Sequence, residues 1–208
     1  MSEPHRALLP PHLVLRDFLP AETAAALLAY AQANETRFEP VEGYDPNVLA
    51  RAERRSLSLR DIGPFRDALR GRLAPLQEEI AAALGLEPFR RARFEFQMLA
   101  HGDGTHIARH IDIRRTGDQS SGARRVVTGV YYMHAEPKGF SGGDLRLHEL
   151  LPRGGQAQHV DLAPTHNACI FFPSWMAHEV TPIAVPSGRF ADARFSVNCW
   201  FHRAVDAS

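Results

Sequence analysis

The chain has 208 residues, with 24 basic side chains against 24 acidic ones and a pI near 7.2. That balance exerts no bulk pull on a phosphate backbone, so nucleic acid is not an expected partner. No apolar run is long enough to span a bilayer, and Met1 to Leu15 lacks the apolar segment of a secretory signal, so neither a membrane nor an export route is expected.

The length suits one domain over 1–208, with a mainly helical part over 1–90 and a β-rich core over 91–203. Cys169 and Cys199 sit in strand-like apolar runs and read as buried free thiols, which suits a reducing cytoplasm. Of the basic residues 23 are arginine and only Lys138 is lysine, a bias with no structural meaning by itself.

Taken in chain order, Pro20 to Asn34 is Ala/Leu-rich, opens on a proline and an acid, and predicts a helix. Glu35 to Gly63 is Arg-rich and without clear periodicity. A second helix starts at Gly63-Pro64. There Phe65, Leu69, Leu73, Leu76, Ile80 and Leu84 form an amphipathic stripe, Gly85 is a stop, and Pro75 should kink or split the run. Beyond Pro88 come short β-branched and aromatic runs, about eight strands in all, separated by Gly, Pro, Asp and Asn. Helices followed by many short strands predict an α+β fold with a sandwich or barrel as its body.

Most of the 11 histidines need no special role. His110-Ile111-Asp112 differs, because in an extended strand residues i and i+2 point to one face and an imidazole and a carboxylate would then share it. His178 follows Asp112 by 66 residues, in a second strand-like run, about the chain a jelly roll needs between its second and seventh strands. Two imidazoles and one carboxylate on one face of a metal form the facial triad of non-haem Fe(II) oxygenases. His159-Val160-Asp161 has the same pattern, but the histidines after it, His166 and His178, leave room for a hairpin and not for a barrel; it reads as an ordinary strand pair. His106 follows Gly102 and Gly104 and reads as loop.

In the last strand, period two puts Arg194, Ser196, Asn198 and Trp200 on one face and Phe195, Val197 and Cys199 on the other. A polar face of that kind suits a barrel interior, and arginine is the natural anchor for a carboxylate. Arg189, in a loop after Pro186-Ser187-Gly188, is a rival anchor.

The segments GDGTHIARHID, VYYMH, FSGGDLRLHE, HEVTP and RFSVNCW, from about Phe94 to His202, resemble the prolyl 4-hydroxylase-like branch of the Fe(II)/2-oxoglutarate oxygenases. The resemblance implies a double-stranded β-helix (a jelly-roll barrel) with N-terminal helices packed on one sheet. It also implies Fe(II) held by His110, Asp112 and His178, with 2-oxoglutarate as cosubstrate and O2. Arg194 and Tyr132 match residues at the cosubstrate's C5 carboxylate, and Asn198 joins them on the strand face; ascorbate is the expected reductant. The carboxylate at Asp112 matters, since halogenating relatives carry a small residue there. Hydroxylation of a peptide or protein, at a prolyl residue, with release of succinate and CO2 is the first expectation. The alternatives are hydroxylation of a free amino acid or small natural product, and a catalytically silent binding barrel. Two departures stand out: Ala100 occupies the place of a tyrosine near the C1 end, and residues 183–193 lengthen the gap before Arg194, which keeps Arg189 open as the anchor.

Overall fold

A computed structural model describes residues 9–41, 56–113, 123–149 and 158–204. The predicted first helix is α1 (Ala21–Ala33), entered at Pro20 and left at Asn34. The second is divided, as Pro75 requires, into α2 (Phe65–Leu73) and α3 (Gln77–Ala83). Leu69, Leu73, Ile80 and Leu84 of its stripe are fully covered, with Phe65 and Leu76 packed at the margin.

The N-terminal part is not helical alone. It contributes β1 (Leu13–Leu15), β2 (Glu39–Pro40) and β3 (Ser56–Leu59) to the main sheet, strands too short to show a period in sequence. The rest of the chain forms β4 (Arg91–His101), β5 (Ile107–His110), β6 (Ala123–Met133), β7 (Ser141–Gly142), β8 (Leu145–His148), β9 (His159–Leu162), β10 (Ala168–Pro173), β11 (His178–Val180), β12 (Ile183–Ala184) and β13 (Arg194–Ala204).

A seven-stranded sheet runs β1-β10-β6-β13-β4-β3-β2, and a four-stranded sheet β5-β11-β8-β9 faces it; β7 and β12 form a small ribbon. All pairings are antiparallel. Strands that alternate between two such sheets make a double-stranded β-helix, an α+β jelly roll.

The alternation of β13 sorts the two cores. Phe195, Val197, Cys199 and Phe201 point outward into a cluster with Leu27, Leu69, Leu73 and Ile80, which is where the helices pack. On the inner face Val130, Tyr132, Ile170 and Phe172 of the large sheet meet Leu145 and Leu147 of the small one. Both cysteines are free and fully buried, and burial pushes both thiols up, so they act as apolar filler. Asn167, in the left-handed region at φ 53°, links the layers. Its side chain accepts from Leu19 N (3.0 Å) and Tyr131 OH (3.1 Å) and donates to Leu19 O (2.8 Å).

Candidate metal centre and anion pocket

His110 closes β5 and His178 opens β11, and the two residues are direct cross-strand partners. Such pairs bring side chains within contact, and the two rings stand 4.2 Å apart, centre to centre. Each ring donates from Nδ1 to a nearby backbone carbonyl, His110 to Ala108 O and His178 to Met176 O, both at 2.9 Å. That fixes Nδ1–H as the donor and leaves Nε2 of each as a free lone pair. Burial pushes His178 below the usual histidine range; Asp112 opposes this and His110 adds to it. A neutral imidazole is the form that binds a metal.

Asp112 corrects the expectation of a shared strand face. The strand ends at His110, and Asp112 lies in the bend that follows. Its carboxylate reaches the histidines because tertiary contacts place it: its N–H donates to Ser174 O (2.9 Å), and its Oδ2 accepts from Thr128 Oγ1 (2.8 Å) and Trp200 Nε1 (2.9 Å). Oδ1 stands 3.6 Å from His110 Nε2, and Oδ2 stands 3.8 Å from His178 Nε2. One ligand atom from each residue lies within 4.8 Å of the others, and among the described residues this is the one cluster of its kind. With Oδ2 engaged twice, Oδ1 is the oxygen left to a cation. Two imidazole nitrogens and a carboxylate oxygen make a donor set that fits Fe(II) and leaves coordination positions open.

Arg194, expected in a polar barrel interior, is only 1% exposed. Nε donates to Gly143 O at 2.8 Å, Nη2 donates to Tyr132 OH at 3.3 Å, and the guanidinium lies 4.8 Å from the centre of the Tyr132 ring. Gly143 permits this approach: it holds φ 73°, and a Cβ there would come within 2.6 Å of Arg194 Cδ. Both hydrogen-bond partners are neutral, and among the described residues no carboxylate is within ion-pair distance. Burial pushes the guanidinium below its usual value, with Tyr132 and, less strongly, the charge of Asp144 opposing. A buried cation without a carboxylate in direct contact is costly, which makes the surroundings of Arg194 fit a ligand carboxylate.

Tyr132 itself is buried on the inner face, in register with Ser196, while Tyr131 faces the outer core as its one-residue offset requires. Asn198 shares the inner face with Arg194 and is half-buried beside Gln97. Arg189 lies elsewhere: its side chain is 72% exposed and is held by Asp192 at 2.7 Å. The second HxD is also apart. His159 and Asp161 are on β9, the far edge of the small sheet, where Asp161 pairs with Arg146 at 2.7 Å. His106 lies in the loop before β5.

Thr128 and Ser174 are the contacts that sequence reading missed. Thr128 had a signal: counting back by twos from Tyr132 puts it on the same inner face of β6. Ser174 had none, because it follows β10 and its role depends on the bend at Asp112.

A double-stranded β-helix carrying two histidines, one carboxylate and a buried arginine defines a class of protein, and comparison with known proteins gives the family. The family model of the 2OG-Fe(II) oxygenase superfamily matches residues 96–202. The chain belongs to that superfamily. A PKHD-type hydroxylase of Synechocystis sp., itself uncharacterized, is 34% identical over 142 residues, 66% of this chain. The chain spans under half of that protein's length, 46%. The crystal structure of a Pseudomonas putida prolyl-4-hydroxylase matches with a TM-score of 0.64 at 25% identity, over 93% of each chain. A prolyl hydroxylase of Trichoplax adhaerens, solved with a peptide fragment of the hypoxia inducible factor oxygen degradation domain, matches with a TM-score of 0.62. It covers 93% of this chain and 84% of its own, and at 18% identity that likeness concerns the fold. Among the described residues no helix is long and apolar enough to cross a membrane.

Proposed function

We propose that this chain is an Fe(II)- and 2-oxoglutarate-dependent hydroxylase, built as a single oxygenase domain over 1–208. In this reading His110, Asp112 and His178 hold the metal, and Arg194 with Tyr132 receives the C5 carboxylate of 2-oxoglutarate. The observation that carries it is the buried Arg194 facing neutral partners on the sheet face shared with Trp200, whose indole holds Asp112. Arg194 and Trp200 share one sheet face and Trp200 bonds Asp112, which supports a dicarboxylate held at one end by Arg194 and at the other by the metal.

When bound, Fe(II) and 2-oxoglutarate supply the oxidative decarboxylation that releases succinate and CO2 and delivers one oxygen atom of O2 to a substrate C–H. The chain's own part is orientation and exclusion of water. The two Nδ1 hydrogen bonds fix which nitrogen faces the cation, and Thr128 and Trp200 fix which oxygen does. Arg194 sets the far end of the cosubstrate, and Tyr132 OH lies close enough to share that carboxylate. Asn198, on the same face between Arg194 and Trp200, completes the polar wall.

For the substrate we favour a prolyl residue of a peptide or protein. Support comes from the Pseudomonas putida prolyl-4-hydroxylase, similar over nearly the whole chain, and from the PKHD-type hydroxylase relative. Two buried free thiols support a reducing, cytoplasmic setting. The test is to incubate the protein with Fe(II), 2-oxoglutarate, ascorbate and proline-containing peptides in air, then measure succinate and the gain of one oxygen atom by mass spectrometry. Succinate formation that needs iron is expected. Absence of both succinate formation and 2-oxoglutarate binding overturns the reading, while turnover without peptide oxidation overturns only the peptidyl-proline substrate.

A further inference from the structure

We infer that Arg125, clamped by Glu95, is a positioning residue that sets the metal-facing geometry of Asp112 through Trp200. The inference rests on the reading of His110, Asp112 and His178 as a metal site. The Arg125 guanidinium carbon lies over the Trp200 ring, 3.8 Å from its centre, close enough to hold the indole in place. That indole donates from Nε1 to Asp112 Oδ2 at 2.9 Å. The same guanidinium donates from Nη1 to the Asp112 backbone carbonyl at 3.4 Å. One cation therefore holds the peptide group and, through a ring, the carboxylate of a single residue.

Behind it, Arg125 donates from Nη2 to Glu95 Oε1 at 2.6 Å and from Nε to Oε2 at 3.2 Å. His202 Nε2 meets the same Oε2 at 2.8 Å. Burial alone would raise Glu95, but the hydrogen bonds from His202 and Arg125 hold it down to about 2, so it is ionised. The ion pair is neutral as a unit. It orients Trp200 without setting an unbalanced positive charge beside a cation site.

A strand irregularity makes the clamp possible. Thr128 and Arg125 are three apart, so regular alternation would send them to opposite faces. The β13–β6 register slips between Phe201 and His202: Phe201 pairs with Val127, and His202 pairs with Arg125. The extra residue is a bulge, which re-aims Arg125 onto the face that carries Thr128 and Trp200. Asp112 depends on such help because it sits past the end of β5 and has no ladder partner to fix it.

Cobalt(II) titration of the metal-free full chain tests this, since its visible bands report both affinity and ligand geometry. Arg125→Ala should weaken Co(II) binding by roughly 10- to 100-fold, the range found when groups supporting a metal ligand are removed. The band shape should change, with the melting temperature of the metal-free protein held near wild type. Glu95→Gln should shift affinity in the same direction. Arg125→Lys, which keeps the charge but cannot stack flat and reach both acceptors, should recover only part of it. If Arg125→Ala does not fold, the Glu95→Gln and Arg125→Lys pair decides on the same criterion. Wild-type affinity and spectrum in these variants overturn the inference, as does an affinity loss seen only with collapse of the metal-free fold. A wild-type chain that binds no Co(II) overturns the metal-site reading itself, a separate result.

Discussion

Two HxD tripeptides compete in this chain, and their surroundings differ at the level of single atoms. The Asp112 carboxylate is 11% exposed and faces two free imidazole nitrogens, whereas Asp161 is 37% exposed and occupied by Arg146. His110→Ala, Asp112→Ala and His178→Ala should each abolish iron-dependent succinate formation. His159→Ala and Asp161→Ala should keep it within about twofold, because a surface ion pair contributes little. The initial rate at fixed iron measures this, and an active His110→Ala beside a dead His159→Ala would mean that the wrong pair has been chosen.

The anchor is tested in the same way. Arg194→Ala removes a buried cation from its ligand, which costs about 3–5 kcal/mol, or a few hundred- to several thousandfold in 2-oxoglutarate affinity. Arg189→Ala should leave that affinity unchanged, because its guanidinium is already bound to Asp192 at the surface. Anaerobic titration of the Fe(II) protein, followed by its visible charge-transfer absorption, separates the two. Arg194 was readable in sequence because an arginine alternating with serine and asparagine is out of place in a plain core. Glu95 and Arg125 were not readable, since polar residues alternating along β4 and β6 look the same whether they face water or a barrel interior.

At the scale of elements, Asn167 is the joint between the N-terminal β1–α1 connection and the barrel. Its side chain serves Leu19 N, Leu19 O and Tyr131 OH, all of them buried. Asn167→Ala leaves these groups without partners at about 1–3 kcal/mol each and keeps a left-handed backbone that alanine disfavours. A loss of about 3 kcal/mol or more is expected, read as a lower urea midpoint with an unchanged slope. A shift under about 1 kcal/mol would show that water replaces the side chain. The helices and the long strands were legible, down to the break at Pro75, because their periods are local properties of the chain. The end of β5 before Asp112 and the bulge in β6 were not, because both depend on which strand lies opposite.

For the molecule as a whole, pH should act through buried His101. It pairs across the sheet with Arg194 and shares a hydrogen bond with Ser56 Oγ at 2.9 Å. Burial, and then the charge of Arg194, push it down to about 3. Below the ordinary histidine value of roughly 6.5, the unfolded chain takes up a proton that the folded chain refuses. This contribution to stability is complete above that value and is lost as pH falls toward about 3. Its slope is about 1.4 kcal/mol per pH unit from this one group. In metal-free protein, His101→Gln should flatten the stability-versus-pH curve between pH ~6 and ~4.5 by about that slope. An unaltered slope, from denaturant unfolding at several pH values, would show that His101 is protonated in the folded state.

By itself the sequence determined the chemistry on offer. Ligand types, their order along the chain and the face each strand presents depend only on residue identity and on periods of 2 and 3.6. The two helices and the separation of an outer apolar core from an inner polar face followed from the same periods. Only the tertiary structure decided between Arg194 and Arg189, the contact between His110 and His178, and what holds Asp112 in its bend. Those outcomes depend on register between strands far apart in the chain. His178 opposite His110, Arg194 beneath Gly143 and Arg125 turned inward by one extra residue are pairings no local pattern encodes.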